Sequence, residues 1–430
     1  MLGKCDLTHS LDTDLIHAGA YCDTELTRYP ESMPIYMTTV FNVTDLDDAY
    51  HMIEDKGFIY NRTSNPNRTA LGKIVSRLEG GEDTLVCSSG MAAISTALLS
   101  TLSAGDHILS DHTLYGETFD LFNLLFSRYG VENTCIDIND MEQVRANIRP
   151  NTKVIYTESA SNPTIMVPDV DALSNAAHEN GALLFVDNTF MTAYGFRPLE
   201  HGADVVINSL TKFMGGHCDA LCGAITGSAV FIQNCTAHQW VLGCGADAMT
   251  SYMVQRGLRT MALRMEKAYA NAKILAERLE SHPCVTKVLH PSLKSHPQHE
   301  LAKRMFQGRY GAMLSFDVIN GTYDHLNAFL RKLEIIHYAA SLGGIRTTIS
   351  VPRHSSHRRM DPQLRLASGI TDSLIRVSVG CEDIEDIWRD FDQALTVFQK
   401  EALESLRQER PGSSESGLFS VPAGRYEGRI

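Results

Sequence analysis

No stretch of this 430-residue chain offers the roughly 18 consecutive apolar residues that a membrane-crossing helix requires. The opening "MLGKCDLTHSLDTDLIHAG" lacks the apolar core of a secretory leader. The expectation is a soluble, cytoplasmic protein without a membrane partner. Basic charge is also scarce, with 38 Lys and Arg against 51 Asp and Glu and a formal net charge of −13. That balance excludes a free-standing nucleic-acid binder. The densest basic run, "HRRM" at 357–360, reads as a solvated loop. Ten cysteines are scattered without CxxC spacing, and the nearest pair is Cys218 and Cys222. They are too dilute for a disulfide scaffold and point to reduced thiols. No HExxH or paired CxxC exists, so no metal site is expected.

What the chain does have is apolar mass. A hydrophobic content of 43% supports about two or three domains. Residues 1–58 are mixed and turn-rich and read as an N-terminal arm. From 59 to 255, short β-branched runs alternate with helical stretches: "DTLVCSSG" then "MAAISTALLSTL", "DHILS" then "ETFDLFNLLFSRYG", "TKVIYTES" then "VDALSNAAHENG", then "ALLFVDNT", "ADVVINS" and "CGAITG". This alternation indicates βαβ units and an α/β fold with a mostly parallel sheet buried on both faces. "DAMTSYMVQRGLRTMALRMEKAYANAKILAERLES" reads as one long helix leaving that domain. Residues 256–405 mix strands such as "AMLSFDVI" and "SLIRVSVG" with helices, as in a smaller C-terminal α+β domain. The polar 406–430 segment reads as a mobile tail.

Ligands in open α/β sheets bind beyond the carboxyl ends of the strands. Asp187 follows "ALLFV", and Ser209, Thr211 and Lys212 follow "DVVIN". Ser88, Ser89 and Gly90 follow "TLVC" and precede a helix beginning near Met91. Asn162 follows "VIYTESAS". Singly, each has an ordinary explanation: a strand-end Asp is a turn former, "SSGM" a helix start, and a lysine after threonine a surface residue. Jointly they meet the needs of pyridoxal 5′-phosphate (PLP) chemistry. Lys212 would form a Schiff base with the aldehyde, and Asp187 would keep the pyridine nitrogen protonated. The "SSGM" helix start, with Ser209 and Thr211, would take the phosphate.

The set of stretches "YNRTSNPNRTALGKIVSRLEGGEDTLVCSSGMAAI" (60–94), "DHTLYGETF" (111–119), "ESASNP" (158–163), "VDNTF" (186–190), "SLTKFMGGHCDALCG" (209–223), "SLGG" (341–344) and "GITDSLIRVSVGCED" (369–383) resembles the Cys/Met-metabolism family of PLP enzymes. That group includes cystathionine γ-synthase, cystathionine γ-lyase and methionine γ-lyase. The resemblance implies an aspartate-aminotransferase-like (fold type I) architecture with a seven-stranded-type sheet. It implies Lys212 as the Schiff-base lysine, Asp187 as the pyridine partner, and Ser89, Gly90, Met91, Ser209 and Thr211 as the phosphate cradle. Tyr60 and Arg62 would reach the phosphate of a neighbouring subunit, in a homo-oligomer expected to be a homotetramer with shared sites. Tyr115 would stack on the ring, Arg376 would clamp the substrate carboxylate, and Asn162 and the backbone at Ser341 would assist it.

The resemblance further implies that Lys212 moves the Cα and Cβ protons while Tyr115 acts as acid at the leaving γ-substituent. Elimination would release 2-oxobutyrate and ammonia; γ-replacement, as in cystathionine γ-synthase or O-acetylhomoserine sulfhydrylase, is the alternative. A non-catalytic relative on the same fold is a third reading. It is disfavoured by retention of Lys212, Asp187, Tyr115, Arg376, Tyr60 and Arg62. Three departures bear on the substrate. Glu117 stands where family members carry Gly or Cys, suiting a cationic or hydrogen-bond-donating γ-substituent such as that of canavanine, unless it turns outward or pairs with a local cation. Ala340 and Ile59 stand where cystathionine-acting members carry acids, which is closer to methionine γ-lyases. Arg346 would either pair with Glu117 or receive a second substrate acid group.

Overall fold

A computed structural model describes residues 10–16, 31–54, 57–358 and 360–399. The arm expected over 1–58 is therefore described only in part, and the tail expected over 406–430 lies outside the described residues. Seven strands form the larger sheet: β1 (Asp83–Cys87), β2 (His107–Asp111), β3 (Glu132–Ile136), β4 (Thr152–Glu158), β5 (Leu183–Asp187), β6 (Val205–Asn208) and β7 (Gly223–Gly227). Their order is β1-β7-β6-β5-β4-β2-β3. All run parallel except β7, which pairs antiparallel with both β1 and β6. The central strands are continuous apolar runs because helices cover both faces; Val154, Ile155, Tyr156, Leu184, Phe185 and Val186 are all fully buried. β3 escapes the alternation pattern because it is a polar edge strand, its first residue exposed and its middle only half-buried.

A five-stranded sheet follows, ordered β10-β11-β12-β9-β8, from β8 (Val285–Leu289), β9 (Met313–Val318), β10 (His337–Tyr338), β11 (Thr348–Ser350) and β12 (Ile375–Ser378). β9 and β12 supply its apolar centre, packed by Phe316, Phe391 and Phe329.

The single long helix expected before it is two helices, Ala248–Leu258 and Met261–Glu280. The break has a local cause. The carbonyl of Gly257 is taken up by Thr260 N–H at 3.2 Å, by the Thr260 hydroxyl at 3.2 Å and by Arg264 Nη2 at 2.9 Å. Gly257 also presses on Gly215, whose carbonyl oxygen would lie 2.2 Å from an added Cβ. The second helix serves both cores. Met261, Met265 and Ala268 pack under the large sheet, and Ala272, Leu275 and Leu279 under the small one.

Candidate active site

The pairs Glu158↔Asp187 and Asp187↔Ile207 bring the carboxyl ends of β4, β5 and β6 level. Lys212 lies in the loop after β6, and its Nζ donates to Ser341 Oγ at 3.2 Å. Burial, and then the Arg376 guanidinium, lower the pKa of the Lys212 amine. The loop is held from outside the sheet by Arg264, which donates to the carbonyls of Phe213 at 2.7 Å and Met214 at 3.1 Å. Gly216 turns it with φ +75°.

Asp187 is half-buried and accepts the Thr189 hydroxyl at 2.5 Å and its N–H at 3.0 Å. Burial pushes its carboxyl up to about 6 against those two bonds. Beside it, Glu158 is also raised, by burial and then by the Asp187 charge. A half-buried Asp187 beside the buried Glu158, with no ion pair to either among the described residues, would readily take a protonated ring nitrogen.

The helix Gly90–Leu99 aims its N-terminus at the same crevice, capped by Ser89 Oγ on Ala92 N–H at 3.0 Å. A Cβ on Gly90 would come within 2.8 Å of Ser209 Cβ, so glycine is what lets the helix start approach Ser209. The first N–H groups of such a helix lack internal partners and attract anions. Thr211 differs from the rest of the cradle. Its hydroxyl is engaged with Cys222, donating to the carbonyl at 3.1 Å and accepting the N–H at 2.9 Å.

Arg376, on β12, donates from Nη1 to Asn162 Oδ1 at 2.8 Å and from Nη2 to the Ser341 carbonyl at 3.4 Å. Its Nε is buried without a partner, and burial lowers the guanidinium to about 10. A buried cation short of an anion fits a carboxylate. Tyr115 is exposed, and the pKa of its hydroxyl is raised by desolvation and by the Glu117 carboxylate. Glu117 also acts on the charge of Lys212. Glu117 is itself exposed, as is Arg346.

Tyr60 and Arg62 are not among these contacts. They line a different cleft with Arg68, Gly243, Gly245 and Asp247. Arg62 donates to the Trp240 carbonyl, and Trp240 Nε1 donates to the Thr63 carbonyl at 3.0 Å.

Three contributors escaped the sequence. Glu158 accepts the N–H of Tyr115 at 2.7 Å and of Asn162 at 3.1 Å, and its position in "ESASNP" was the available signal. Arg264 sits in an amphipathic helix and looks ordinary there. His357 corrects the reading of "HRRM" as a solvated loop. Arg358 is exposed, but His357 is buried, with Nδ1 2.9 Å from Ser356 Oγ. Burial, and then Arg376, depress its ring to about 4. The turn must press inward because the Ser356 carbonyl lies only 2.4 Å from where Gly116 would carry a Cβ.

Comparison with known proteins agrees with this geometry. The family model for the Cys/Met metabolism PLP-dependent enzymes matches residues 12–396. Cystathionine gamma-lyase of Bacillus subtilis (strain 168) is 40% identical over 390 residues, 89% of this chain and 98% of that protein. L-methionine gamma-lyase of Porphyromonas gingivalis is 40% identical over 398 residues, 91% and 98% of the two chains. Cystathionine beta-lyase of Bacillus subtilis is 38% identical over 387 residues, 90% and 96%. The crystal structure of cystathionine gamma-lyase from Lactobacillus plantarum superposes with TM-score 0.85 at 34% identity, covering 91% of this chain and 100% of that one. A lysine at the strand ends, neighbouring acids, an open helix N-terminus and an unpaired arginine thus meet a family match along nearly the whole described chain, and the protein belongs to the Cys/Met-metabolism family of PLP-dependent enzymes, as a carbon–sulfur type lyase with pyridoxal 5′-phosphate as its cofactor.

Proposed function

We propose that this lyase eliminates the γ-substituent of an L-amino acid, releasing 2-oxobutyrate and ammonia, and that the substituent is cationic or oxygen-linked, as in canavanine. The supporting observation is the Glu117 carboxylate, set against the Tyr115 hydroxyl and within electrostatic reach of Lys212. A carboxylate there attracts a guanidinium-like group and repels none of its hydrogen-bond donors. Ala340 and Ile59 leave two apolar positions where cystathionine-acting members of the family carry acids.

The residues that would hold the cofactor are Lys212 at the aldehyde, Asp187 at the pyridine nitrogen, Tyr115 on the ring, and Ser89, Gly90, Met91 and Ser209 at the phosphate. Thr211 joins them if its hydroxyl turns from Cys222. When bound, PLP supplies an aldehyde that takes up the substrate amino group and a pyridinium ring that withdraws electron density from Cα. Arg376, oriented by Asn162 Oδ1 and the Ser341 carbonyl that accept from it, would grip the α-carboxylate and fix which Cα bond faces Lys212. Lys212, its pKa lowered, accepts the Cα proton, gives that proton up again, and only then accepts one from Cβ. Tyr115, its pKa raised, keeps its proton at neutral pH and delivers it to the leaving γ-group.

Tyr60 and Arg62, which line a cleft with Gly243, Gly245 and Asp247 rather than contacting Lys212, would complete the phosphate site of a neighbouring subunit. This makes the active unit a homo-oligomer, and we take a homotetramer as its form. The testing assay is 2-oxobutyrate release by PLP-loaded protein from methionine, homocysteine, cystathionine, O-acetylhomoserine and canavanine, each with and without added thiol. Release from canavanine without thiol supports the reading. Pyruvate from cystathionine would make it a β-lyase, and turnover only with thiol a γ-replacement enzyme.

A further inference from the structure

A cluster of thiols lies just below the phosphate-facing helix start. Cys87 closes β1 and is fully buried, and Cys244 is half-exposed in the turn at 243–247. Their backbones run side by side. Cys87 and Gly245 form an isolated antiparallel bridge, and Ser88 N–H donates to the Cys244 carbonyl at 2.8 Å. That pairing of the backbones brings the two thiols close enough for each to perturb the other. Thr96 Oγ1 lies 3.3 Å from Cys244 Sγ, and Gln239 Nε2 lies 3.3 Å from Cys87 Sγ. The Arg68 guanidinium is within electrostatic reach of both.

These neighbours treat the sulfurs oppositely. The Cys87 thiol, then the Thr96 hydroxyl, hold Cys244 down to about 6 against its burial, while the same contact and full burial push Cys87 up. One sulfur is thiolate-like and the other a protonated donor beside it, an arrangement suited to attack followed by resolution. Solvent has a route, because Gly243 and Gly245, flanking Cys244, both line the cleft that holds Tyr60 and Arg62.

We propose that Cys244 and Cys87 form an oxidation-sensitive pair, in which a hydroperoxide reacts at Cys244, Cys87 resolves the product to a disulfide, and the cross-link weakens cofactor retention. Cys244 sulfur attacks one peroxide oxygen, the O–O bond breaks, and the departing oxygen is protonated to water or alcohol. Cys87 sulfur then displaces the remaining oxygen as water and forms the S–S bond. The thiols lose two electrons and two protons, and the peroxide gains them.

The consequence for the cofactor rests on the functional reading above, whereas the cross-link does not. β1 runs directly into Ser88–Ser89–Gly90. The 243–247 turn is tied through Arg68, which donates to the Ala246 carbonyl at 3.0 Å, to the carbonyls of Asn61 at 2.9 Å and Arg62 at 3.3 Å. Drawing the two sulfurs into a bond shifts both segments that face a phosphate.

The test exposes PLP-loaded enzyme to hydrogen peroxide, blocks remaining thiols, and maps the non-reducing digest by mass spectrometry, with free cofactor measured after ultrafiltration. A Cys87–Cys244 peptide two hydrogens lighter than its parts is expected. So are several-fold greater cofactor release and reversal of both by dithiothreitol. Cys87→Ser should instead leave Cys244 as a sulfenic acid captured by a dimedone probe, and Cys244→Ser should abolish both products. Oxidation that falls first on the exposed Cys218, or no Cys87–Cys244 peptide, overturns the pair. A cross-link with unchanged cofactor retention overturns its coupling to the site and leaves the functional reading untouched.

Discussion

Glu158 Oε1 accepts the backbone N–H of Tyr115 at 2.7 Å. Its other oxygen holds Asn162 N–H at 3.1 Å, and Asn162 in turn receives Arg376 at 2.8 Å. One buried carboxyl therefore ties the backbone of Tyr115 to that of Asn162, the acceptor of Arg376. Glu158→Ala leaves two buried N–H groups unpaired, at about 1–3 kcal/mol each, and frees Tyr115 to shift, which costs on the order of 10²-fold in kcat/KM. Glu158→Gln retains one acceptor oxygen and should recover most of the stability. Denaturant midpoints and kinetics of both variants check this; an alanine variant with native values for both would show that Glu158 positions nothing.

Lys212→Ala should lower turnover by on the order of 10⁴-fold or more while leaving the thermal midpoint close to that of the parent. Added primary amines restoring part of the rate would show that the loss is of the proton carrier and not of the fold. Near-native turnover without amine would refute the assignment of Lys212.

Glu117→Gly should move preference from charged or oxygen-linked γ-substituents toward thioethers, by about 1–3 kcal/mol in relative kcat/KM. The readout is the ratio of canavanine to methionine turnover in parent and variant. An unchanged ratio places the carboxylate outside the substrate's reach.

Glu79 offers a pH test away from the chemistry. It is fully buried between Asn208 Nδ2 at 2.7 Å and Asn188 Nδ2 at 3.3 Å, and burial raises its carboxyl from 4.5 to about 8. The folded state keeps a proton that the unfolded state gives up, so stability falls as pH rises from the free-carboxylate range toward 8 and levels above it. Glu79→Gln removes this slope. Urea midpoints between pH 5 and pH 8.5, ranges chosen from that raised value, should converge or cross in the variant's favour on the alkaline side.

Sharing of the site between subunits can be read by complementation. Arg62→Ala and Lys212→Ala should each be inactive alone. Refolded together they should regain up to about a quarter of native sites, the statistical yield of a two-fold interface. No recovery, with mixed oligomers confirmed by mass, would place Arg62 in its own chain's site.

Most of the site was legible because it lies at strand ends, where a polar residue breaks an apolar run: Asp187 after "LLFV", Ser209 to Lys212 after "VVIN", Ser88 to Gly90 after "TLVC". Glu158 was hidden because β4 stays buried through its last residue, so nothing distinguishes a structural acid from a turn former. Arg264 and His357 were hidden for another reason. Their contacts reach across the fold, Arg264 to Phe213 and His357 to the neighbourhood of Arg376, and no local spacing records them. The two-helix break at Arg259–Thr260 likewise depends on the Gly257 carbonyl being drawn to Arg264.

The helix Met261–Glu280 has its first turns in one core and its last in the other, and near its start Arg264 grips the lysine loop. It is thus a shared lever. Any swing of the five-stranded unit, which carries Arg376 and Ser341, is transmitted through a stiff rod to the backbone beside Lys212. If a substrate carboxylate seats on Arg376, as proposed, it bears on the unit that this rod joins to the lysine loop. On the proposed reading, recognition of the carboxylate and placement of the amine would thus share one element, Met261–Glu280.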